Sequence, residues 1–290
     1  ALHFTGRRKI VVFSGGYHGG VLGFGAKPLP TTVPFDFLVL PYNDTQAARE
    51  QIEKHGPEIA AILLEPMQGA SGCIPGRLEF LQALRESATR VGALLIFDEV
   101  MTSRLAPHGL ANKLGIRSDL TTLGKYIGGG SSFGAFGGRS DVMALFDPSR
   151  PDALPHAGTF NNNVASMAAG HAGLTKVYPA DVAERHTARG DELRKELCQV
   201  FLAAGAPFQA TGVGSLLAVH ATAAPLRSPR DLRQGDPRLN ELLFLDLLEA
   251  GYYIAPRGYM ALSLALTEEQ LAGFVAAVQD FLAARSGLWT

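Results

Sequence analysis

The sequence has little cysteine and no excess of charge of either sign. Its two cysteines, Cys73 and Cys198, are far apart, so they predict neither a disulfide framework nor a metal site. With 26 lysines and arginines against 27 aspartates and glutamates, the formal net charge is −1. Nucleic acids and anionic membranes attract basic surfaces, and no such surface is indicated. We therefore expect small-molecule partners and a cytoplasmic location.

Long apolar runs are also absent. No stretch reaches the roughly 18 apolar residues of a membrane span, and no signal peptide is recognisable. The chain begins without methionine, on Ala1-Leu2-His3-Phe4-Thr5-Gly6, which is typical of the end of a helix already under way. This opening predicts that the sequence is a fragment and that further residues precede Ala1.

Short apolar runs alternate with helical patterns over residues 1–178. Strands are predicted at 10–14, 37–40, 59–64, 93–98, 120–123 and 133–137, with helices at 47–55, 77–91, 141–146 and 164–178. Apolar strands separated by helices favour an α/β fold with a mostly parallel central sheet.

The pattern changes in the last part of the chain, 179–290. Helices are predicted at 181–204, 239–250 and 268–285, strands at 208–211 and 215–220, and a mobile Pro/Arg-rich surface loop at 221–233. We therefore predict a large domain over residues 1–178 and a smaller C-terminal α+β domain over residues 179–290.

Chemically versatile side chains follow several of the predicted strands. Asp98 ends one apolar run, and Lys125 follows another, directly after Gly124 and before three more glycines. Ligands bind beyond the carboxyl ends of parallel strands, so both residues lie at a favoured position. Pyridoxal phosphate (PLP) needs a lysine for covalent attachment and a carboxylate that keeps its ring nitrogen protonated. Lys125 can supply the lysine and Asp98 the carboxylate. The alternative to this cofactor role is that Asp98 caps a helix and Lys125 is solvated.

Several motifs, in order, resemble those of the class III aminotransferases. They are KIVVFSGGYHG at 9–19, Glu65-Pro66 with Gly69 and Gly72, FDEV at 97–100, LTTLGKYIGGG at 120–130, HAGTFNNN at 156–163 and the segment 252–264. The resemblance covers nearly the whole chain, and it is strongest to glutamate-1-semialdehyde aminomutase and its relatives. It implies a PLP-dependent transferase of fold type I whose large domain binds the cofactor.

The resemblance also implies residue roles. The cofactor-binding set would be Lys125, Asp98, Val100, Tyr17, His18, Gln68 and Thr159. Lys125 and Asp98 would be catalytic, and Tyr17 and Val100 would contact opposite faces of the PLP ring. His18 would lie beside the ring, and Gln68 would bond the phenolic oxygen. The alternatives have no cofactor role. Tyr17 and Val100 would then be core residues, His18 would be a turn residue and Gln68 would be a solvated loop residue.

Thr159 would contact the PLP phosphate of the neighbouring subunit, which implies a homodimer. The alternative, a helix N-cap, is compatible with that role, since a helix N-terminus is itself a phosphate site. The family's main phosphate-binding turn, Ser/Gly-Thr, would precede Tyr17, and this chain does not contain it. A catalytically inactive scaffold of the same fold therefore remains an alternative.

The substrate is suggested by Arg257, which could bind a carboxylate with two parallel hydrogen bonds. The alternative is an ion pair with Glu65, the residue that other members use to hold such an arginine, and we include both in the substrate site. Aminomutases would have an asparagine at the position of Ala70 and a glutamate near Met260. The Gln68 pattern, the absence of that glutamate and Arg257 favour an aminotransferase, toward β-amino or ω-amino substrates.

The predicted reaction moves an amino group from an amino acid or amine to a keto acid or aldehyde. Lys125 would transfer the proton as base and then acid, and two half-reactions would give ping-pong kinetics. A glutamate-1-semialdehyde 2,1-aminomutase-type isomerase is the second candidate, and it needs no added keto acid. A nucleotide-binding domain is disfavoured, because neither phosphate-loop pattern occurs near the glycines 124–138.

Overall fold

The fold is described from a computed structural model, which covers residues 1–25 and 29–289. Its strands are β1 (Lys9–Phe13), β2 (Asp36–Leu40), β3 (Ile59–Leu64), β4 (Met67–Gln68), β5 (Ile74–Pro75), β6 (Leu94–Asp98), β7 (Leu120–Gly124), β8 (Gly134–Gly138), β9 (Gln209–Val213), β10 (Leu216–His220) and β11 (Tyr259–Ala261). Its α-helices are α1 (Leu2–Thr5), α2 (Thr45–His55), α3 (Leu78–Val91), α4 (Gly109–Lys113), α5 (Ser140–Met143), α6 (Val164–Ala172), α7 (Ala180–Ala203), α8 (Pro237–Glu249) and α9 (Glu268–Ala284).

The central sheet has six strands in the order β2–β1–β3–β6–β7–β8. All neighbouring pairs are parallel except β7 and β8, which run antiparallel. The predicted α/β fold with a mostly parallel sheet is therefore confirmed. Strands β1, β3, β6 and β7 run the same way, so their carboxyl ends share one edge of the sheet.

Helices α2 and α3 cover one face of this sheet. The shared core includes Ile52 of α2, Phe80 and Leu84 of α3, and Phe13 and Phe97 of the strands, all at most 1% exposed. The sequence marks the beginning of α2 and the end of α3. Asp44 caps α2 by accepting from the Ala47 N–H, and Gly92 ends α3 at φ 69°.

The second sheet is antiparallel, in the order β11–β10–β9. Helices α7, α8 and α9 pack with it around a core that includes Leu197, Leu217, Leu243 and Phe281. A capping box begins α9, in which the Thr267 hydroxyl accepts from the Gln270 N–H while the Gln270 side chain accepts from the Thr267 N–H.

The chain divides into two compact units, and the division interleaves along the sequence. The first unit is 1–66 with 76–183, and the second is 67–75 with 184–290. The small hairpin of β4 and β5 thus belongs with the C-terminal residues, although it lies between two strands of the central sheet in sequence. The predicted division into domains at 1–178 and 179–290 remains a prediction.

Most predicted elements lie within two residues of the observed ones, although the helix predicted over 141–146 is α-helical only over Ser140–Met143 and continues as a 3-10 turn. The helix predicted over 164–178 stops being α-helical at Ala172 and continues as a π-helical turn over Gly173–Val177. The predicted Pro/Arg-rich loop contains a 3-10 turn over Asp231–Gln234, where the Asp231 carboxylate accepts from two backbone N–H groups, at 2.8 Å each. Arg257 lies in the turn before β11.

Candidate active site

Asp98 lies at the carboxyl end of β6. Side chains alternate between the faces of a strand, so Asp98 faces away from Phe97 and its core. The Asp98 carboxylate is 8% exposed, and it accepts hydrogen bonds from His18 Nδ1 at 2.7 Å and from the Val100 N–H at 3.1 Å. Burial raises the pKa of Asp98. These two hydrogen bonds and a third from the Thr122 side chain lower it by more, so the pKa of Asp98 is below its usual value. The carboxylate is therefore ionised at neutral pH.

His18 lies in the turn after β1. A hydrogen-bonded loop holds this turn, since the His18 N–H donates to the Leu22 carbonyl at 2.8 Å and the Phe24 N–H donates to the Gly16 carbonyl at 2.8 Å. One ring nitrogen, Nδ1, bonds Asp98, while the other, Nε2, is buried without a hydrogen-bond partner in the described chain. Buried polar atoms are normally satisfied. The orphaned nitrogen thus marks a place where a ligand or solvent atom belongs.

Lys125 directly follows β7 and begins a 3-10 turn over Lys125–Gly128. Asp98 pairs in register with Thr122, so Lys125 comes three residues after the register partner of Asp98. The lysine side chain is exposed, and its backbone has φ 54°. Non-glycine residues rarely adopt this left-handed conformation, and such strain concentrates at functional sites.

Gly124 lets the chain pass closely beside Val100. A Cβ at Gly124 would lie 3.4 Å from Val100 Cγ1 and 3.3 Å from the Phe133 carbonyl oxygen. Val100 itself is half-buried. The strand preceding Lys125 is therefore in contact with the segment that follows Asp98.

Tyr17 and Glu65 come together at the ends of β1 and β3. The Tyr17 N–H donates to Glu65 Oε2 at 3.1 Å, while the Tyr17 side chain is 48% exposed. Glu65 is 5% exposed. The Tyr42 hydroxyl also donates to the Glu65 carbonyl, at 2.9 Å. The core-tyrosine alternative for Tyr17 is wrong, since nearly half of the ring is accessible.

Thr159 lies in an exposed turn ahead of α6. The N-cap of that helix is Asn163, whose Oδ1 accepts from the Ser166 N–H at 3.1 Å. The capping alternative for Thr159 is therefore wrong, and its side chain remains accessible.

Gln68 and Arg257 belong to the second unit. Gln68 lies in β4, paired with Ile74, and is 1% exposed, so the solvated-loop alternative is wrong. Arg257 is exposed, with its guanidinium carbon 5.1 Å from the centre of the Tyr259 ring. This stacking holds the planar guanidinium over an aromatic face.

Sequence reasoning missed Glu99 and Thr122. The buried Glu99 carboxylate accepts from the Leu110 and Ala111 N–H groups, at 2.7 and 3.1 Å, and from the Thr102 hydroxyl at 3.0 Å. Burial raises the pKa of Glu99 more than these bonds lower it. Thr122 could have been found from strand alternation, since it faces the same side of the sheet as Asp98. Glu99 gave no such signal, because its two backbone partners come from α4.

These residues fit PLP on observations independent of the resemblance. Asp98 presents an ionised carboxylate, His18 has an unsatisfied buried nitrogen, and Lys125 presents an accessible amine at the same sheet edge. Tyr17, the residue before His18, adds an accessible aromatic ring. A cationic aromatic ring with an aldehyde group is the kind of ligand that this set of side chains can bind.

Comparison with known proteins agrees with this chemistry. The family model "Aminotransferase class-III" matches residues 1–282. The chain is 66% identical to the beta-phenylalanine transaminase of Variovorax paradoxus, over 99% of this chain and 66% of the relative. It is 36% identical to a glutamate-1-semialdehyde 2,1-aminomutase of Limosilactobacillus reuteri, over 94% of this chain and 67% of the relative.

The solved structures that this chain matches include transaminases. A beta-phenylalanine aminotransferase from Variovorax paradoxus matches with a TM-score of 0.97 at 66% identity, over 99% of this chain and 66% of that chain. A transaminase with PLP bound matches with a TM-score of 0.86 at 31% identity, over 99% of this chain and 70% of that chain.

The fold is that of solved transaminase structures, one of them with PLP bound. The chain belongs to the class III aminotransferase family, whose members depend on PLP, and the predicted family, fold type and cofactor are confirmed. The chain spans 66% of the length of its 66%-identical relative. In the described part of the chain, no helix has the length and apolar composition needed to cross a bilayer.

Proposed function

We propose that the protein is a PLP-dependent aminotransferase that moves an amino group from an amino acid or amine to a keto acid or aldehyde. The observation that carries the proposal is the ionised Asp98, bonded to His18 at 2.7 Å, on the sheet edge from which Lys125 extends. Few other ligands require both an anionic carboxylate and an accessible amine at one strand end.

The proposed roles follow from the chemistry of each side chain. When bound, PLP supplies a ring that withdraws electrons from the substrate carbon. Asp98 holds the proton on the ring nitrogen, and His18 keeps that carboxylate oriented and ionised. Lys125 would hold the cofactor covalently until the substrate amine displaces it, and the freed amine would then accept a proton from the substrate carbon and return one as general acid. Tyr17 and Val100 pack against the ring.

Three further contacts belong to the proposal. Gln68 would bond the phenolic oxygen of the cofactor, and Thr159 would donate to its phosphate in the neighbouring subunit. Arg257 would bind a substrate carboxylate, and the contact of its guanidinium with the Tyr259 ring, 5.1 Å from the central carbon to the ring centre, supports that role. Glu65 is the proposed partner of the arginine when no carboxylate is bound.

The proposed donor class is the β-amino acids, with an aromatic β-amino acid as the first candidate. Its support is the 66% identity to a beta-phenylalanine transaminase, together with the sequence departures from the aminomutase pattern at Ala70 and Met260. An aminomutase relative is 36% identical, a much more distant match.

The decisive experiment follows product formation from β-phenylalanine with and without an added keto acid. We expect turnover only when both are present, with parallel lines in double-reciprocal plots. Turnover of glutamate 1-semialdehyde without any keto acid would instead establish the aminomutase. Failure to bind PLP, together with no turnover, would establish the inactive scaffold.

We also propose a homodimer. The segment 160–177, next to Thr159, carries exposed apolar side chains: Phe160 is 83% exposed, Val164 81%, Met167 46% and Val177 59%. Burying such residues against a second copy stabilises an assembly. Continuity of this surface with Thr159 would place each threonine near the partner's cofactor.

The proposed location is the cytoplasm. Cys73 and Cys198 form no disulfide in the described part of the chain, a state that a reducing compartment maintains. The nearly balanced charge gives the protein no strong attraction to nucleic acid or to anionic lipid.

A further inference from the structure

Lys125 has a backbone conformation that its surroundings must hold. Its φ of 54° lies in the left-handed region, which residues other than glycine rarely adopt. Such a conformation persists only where the surrounding structure fixes it. The Lys125 side chain is exposed, so the packing that fixes the conformation comes from the other residues of the turn over Lys125–Gly128.

Helix α6 packs closely against the later residues of this turn. A Cβ at Gly170 would overlap the Ile127 carbonyl oxygen, and a Cβ at Gly129 would overlap the Ala169 carbonyl oxygen. Two backbone segments can approach each other this closely only where glycine lies at the contact. The helix thereby fixes the end of the turn that is farther from Lys125.

The residue directly after Lys125, Tyr126, is held by a second aromatic ring. The centres of the Tyr126 and Tyr178 rings lie 5.6 Å apart, and the two planes meet edge to face at 66°. Aromatic pairs favour this geometry. Both side chains are half-buried. The contact therefore acts on the residue that is bonded to Lys125.

Tyr178 also contacts the segment that follows Asp98. Its hydroxyl donates to the Arg104 carbonyl at 2.9 Å, and the Arg104 guanidinium carbon lies 5.9 Å from the centre of its ring. Arg104 belongs to the 3-10 turn over Thr102–Leu105. One side chain thus touches both the turn that begins at Lys125 and the turn that follows Asp98.

The turn that receives the hydroxyl bond is fixed relative to Asp98. Its Ser103 N–H donates to the Glu99 carbonyl at 3.0 Å, and the Glu99 N–H donates to the Thr122 carbonyl at 3.0 Å. Thr122 is the register partner of Asp98 in the central sheet. The hydroxyl bond therefore reaches a segment whose position relative to the carboxylate is set by the sheet.

The π-helical turn directs Tyr178 to these partners. The Tyr178 N–H donates to the Gly173 carbonyl, five residues earlier, at 2.8 Å, and this bond closes the turn over Gly173–Val177. A π turn contains one residue more than an α-helical turn, so it rotates the residues that follow it by about 100° about the helix axis. Without the extra residue, Tyr178 would not point in its observed direction.

We propose that Tyr178 is a positioning residue, which holds Lys125 in its left-handed conformation by fixing Tyr126 against the turn that follows Asp98. The inference rests on the proposed function, in which Lys125 and Asp98 bind the cofactor. All residues of this contact lie in the first compact unit. When the contact is lost, Lys125 leaves this conformation in a fraction of the molecules, and the apparent affinity for PLP falls in proportion.

The test measures Tyr178→Leu and Tyr178→Phe, each with Lys125 present and each combined with Lys125→Ala. Tyr178→Leu removes both the ring contact and the hydroxyl bond, whereas Tyr178→Phe keeps the ring contact. Phe80→Leu is the matched control, because Phe80 makes a similar edge contact with Phe13, at 5.3 Å and 83°, in the core beneath α2 and α3. The readouts are the dissociation constant for PLP, the pH dependence of the absorbance of the bound cofactor, and the melting temperature.

We expect Tyr178→Leu to weaken PLP binding by about threefold to tenfold and to move the pH at which the absorbance changes. Tyr178→Phe should lose less affinity than Tyr178→Leu, because its ring still packs on Tyr126. Combined with Lys125→Ala, Tyr178→Leu should cause no further loss, because both changes act through one residue. Phe80→Leu should lower the melting temperature and leave the pH dependence of the absorbance unchanged.

Three results would overturn the inference. If Tyr178→Leu lowers the melting temperature but leaves PLP affinity and absorbance unchanged, the contact is merely structural and the proposed function stands. If Tyr178→Leu weakens PLP binding equally in the Lys125→Ala protein, Tyr178 acts on another part of the site, such as the subunit contact near Thr159. If Lys125→Ala itself changes neither the affinity nor the absorbance, the proposed function fails, and the inference fails with it.

Discussion

His18 Nδ1 lies 2.7 Å from Asp98 Oδ2, although the two residues follow strands that are not neighbours in the sheet. Strand β3 separates β1 from β6, so the turn after β1 must cross the end of β3 to bring the imidazole to the carboxylate. Glu65, at the end of β3, accepts from the N–H of Tyr17, the residue before His18. The ends of three strands are thereby joined into one polar layer.

Replacing His18 by leucine should change the pH dependence of catalysis. The bond from His18 is the largest of the effects that lower the pKa of Asp98 against its burial, so its removal should raise that pKa. The acid limb of the kcat/KM profile should then move to higher pH. Asp98→Asn, which removes the charge at every pH, should lower kcat by about 10²- to 10⁴-fold. An unchanged acid limb in His18→Leu would show that Asp98 does not control it.

Replacing Lys125 by alanine should abolish covalent attachment of PLP. Borohydride reduction of the unchanged protein loaded with PLP should label the peptide that contains Lys125, and mass spectrometry locates the label. Lys113→Ala is the control, because Lys113 is also exposed but ends α4. Labelling of Lys125→Ala at the same stoichiometry would place the reactive amine elsewhere. Activity should fall by at least about 10²-fold in Lys125→Ala alone.

Replacing Val164 by glutamate should favour the monomer. The side chain is 81% exposed, so the isolated chain loses little packing, while a charge buried in a subunit interface is strongly unfavourable. Sedimentation velocity should show a dimer for the unchanged protein and a concentration-dependent monomer for the variant. Leu202→Glu is the control, because Leu202 is 82% exposed and lies on α7. Equal dimerisation of both variants would exclude this surface as the interface.

Much of the first unit could be predicted because its signals are local. Apolar runs bounded by turn residues locate β3 and β6 within a residue, and the strand-end rule then locates Asp98 and Lys125 at one edge. Gly124, directly before Lys125, indicates close backbone approach. None of these inferences needs information from distant residues.

Two of the features that escaped prediction depend on distant residues. A two-residue strand such as β4 has no periodicity to detect, and its place in the second unit is set by bonds to Thr211 and His220. The pairing of His18 with Asp98 joins residues 80 positions apart. The π-helical turn after Ala172 has no sequence signature either, since its residues fit an α-helix equally well.

Replacing Gly170 by alanine should destabilise the protein even though alanine favours helices. Helix α6 packs on the turn that begins at Lys125, and a Cβ at Gly170 would overlap the Ile127 carbonyl oxygen. The helix-propensity gain is about 1 kcal/mol, and overpacking against backbone should exceed it, for a net loss of about 1–3 kcal/mol. Urea denaturation measures the difference. Gly137→Ala is the control, because a Cβ there meets nothing within 4 Å, and a loss of the same size in both would exclude the clash.

Replacing His220 by glutamine should reduce the dependence of stability on pH. Burial lowers the pKa of His220, so as the pH falls the unfolded chain, with a histidine pKa of about 6.5, takes up its proton first. The stability that neutral His220 contributes is therefore complete above about pH 6.5 and declines as the pH falls toward the folded pKa.

The measurement can be confined to the second unit, because the chain has one tryptophan, Trp289, which packs against Phe208 and Phe281. We compare the urea midpoint of its fluorescence at about pH 7.5 and about pH 5.5. The midpoint of the unchanged protein should fall more than that of His220→Gln, since glutamine cannot take up the proton. Equal decreases in both proteins would show that other groups account for the acid sensitivity and that His220 is not held neutral by its burial.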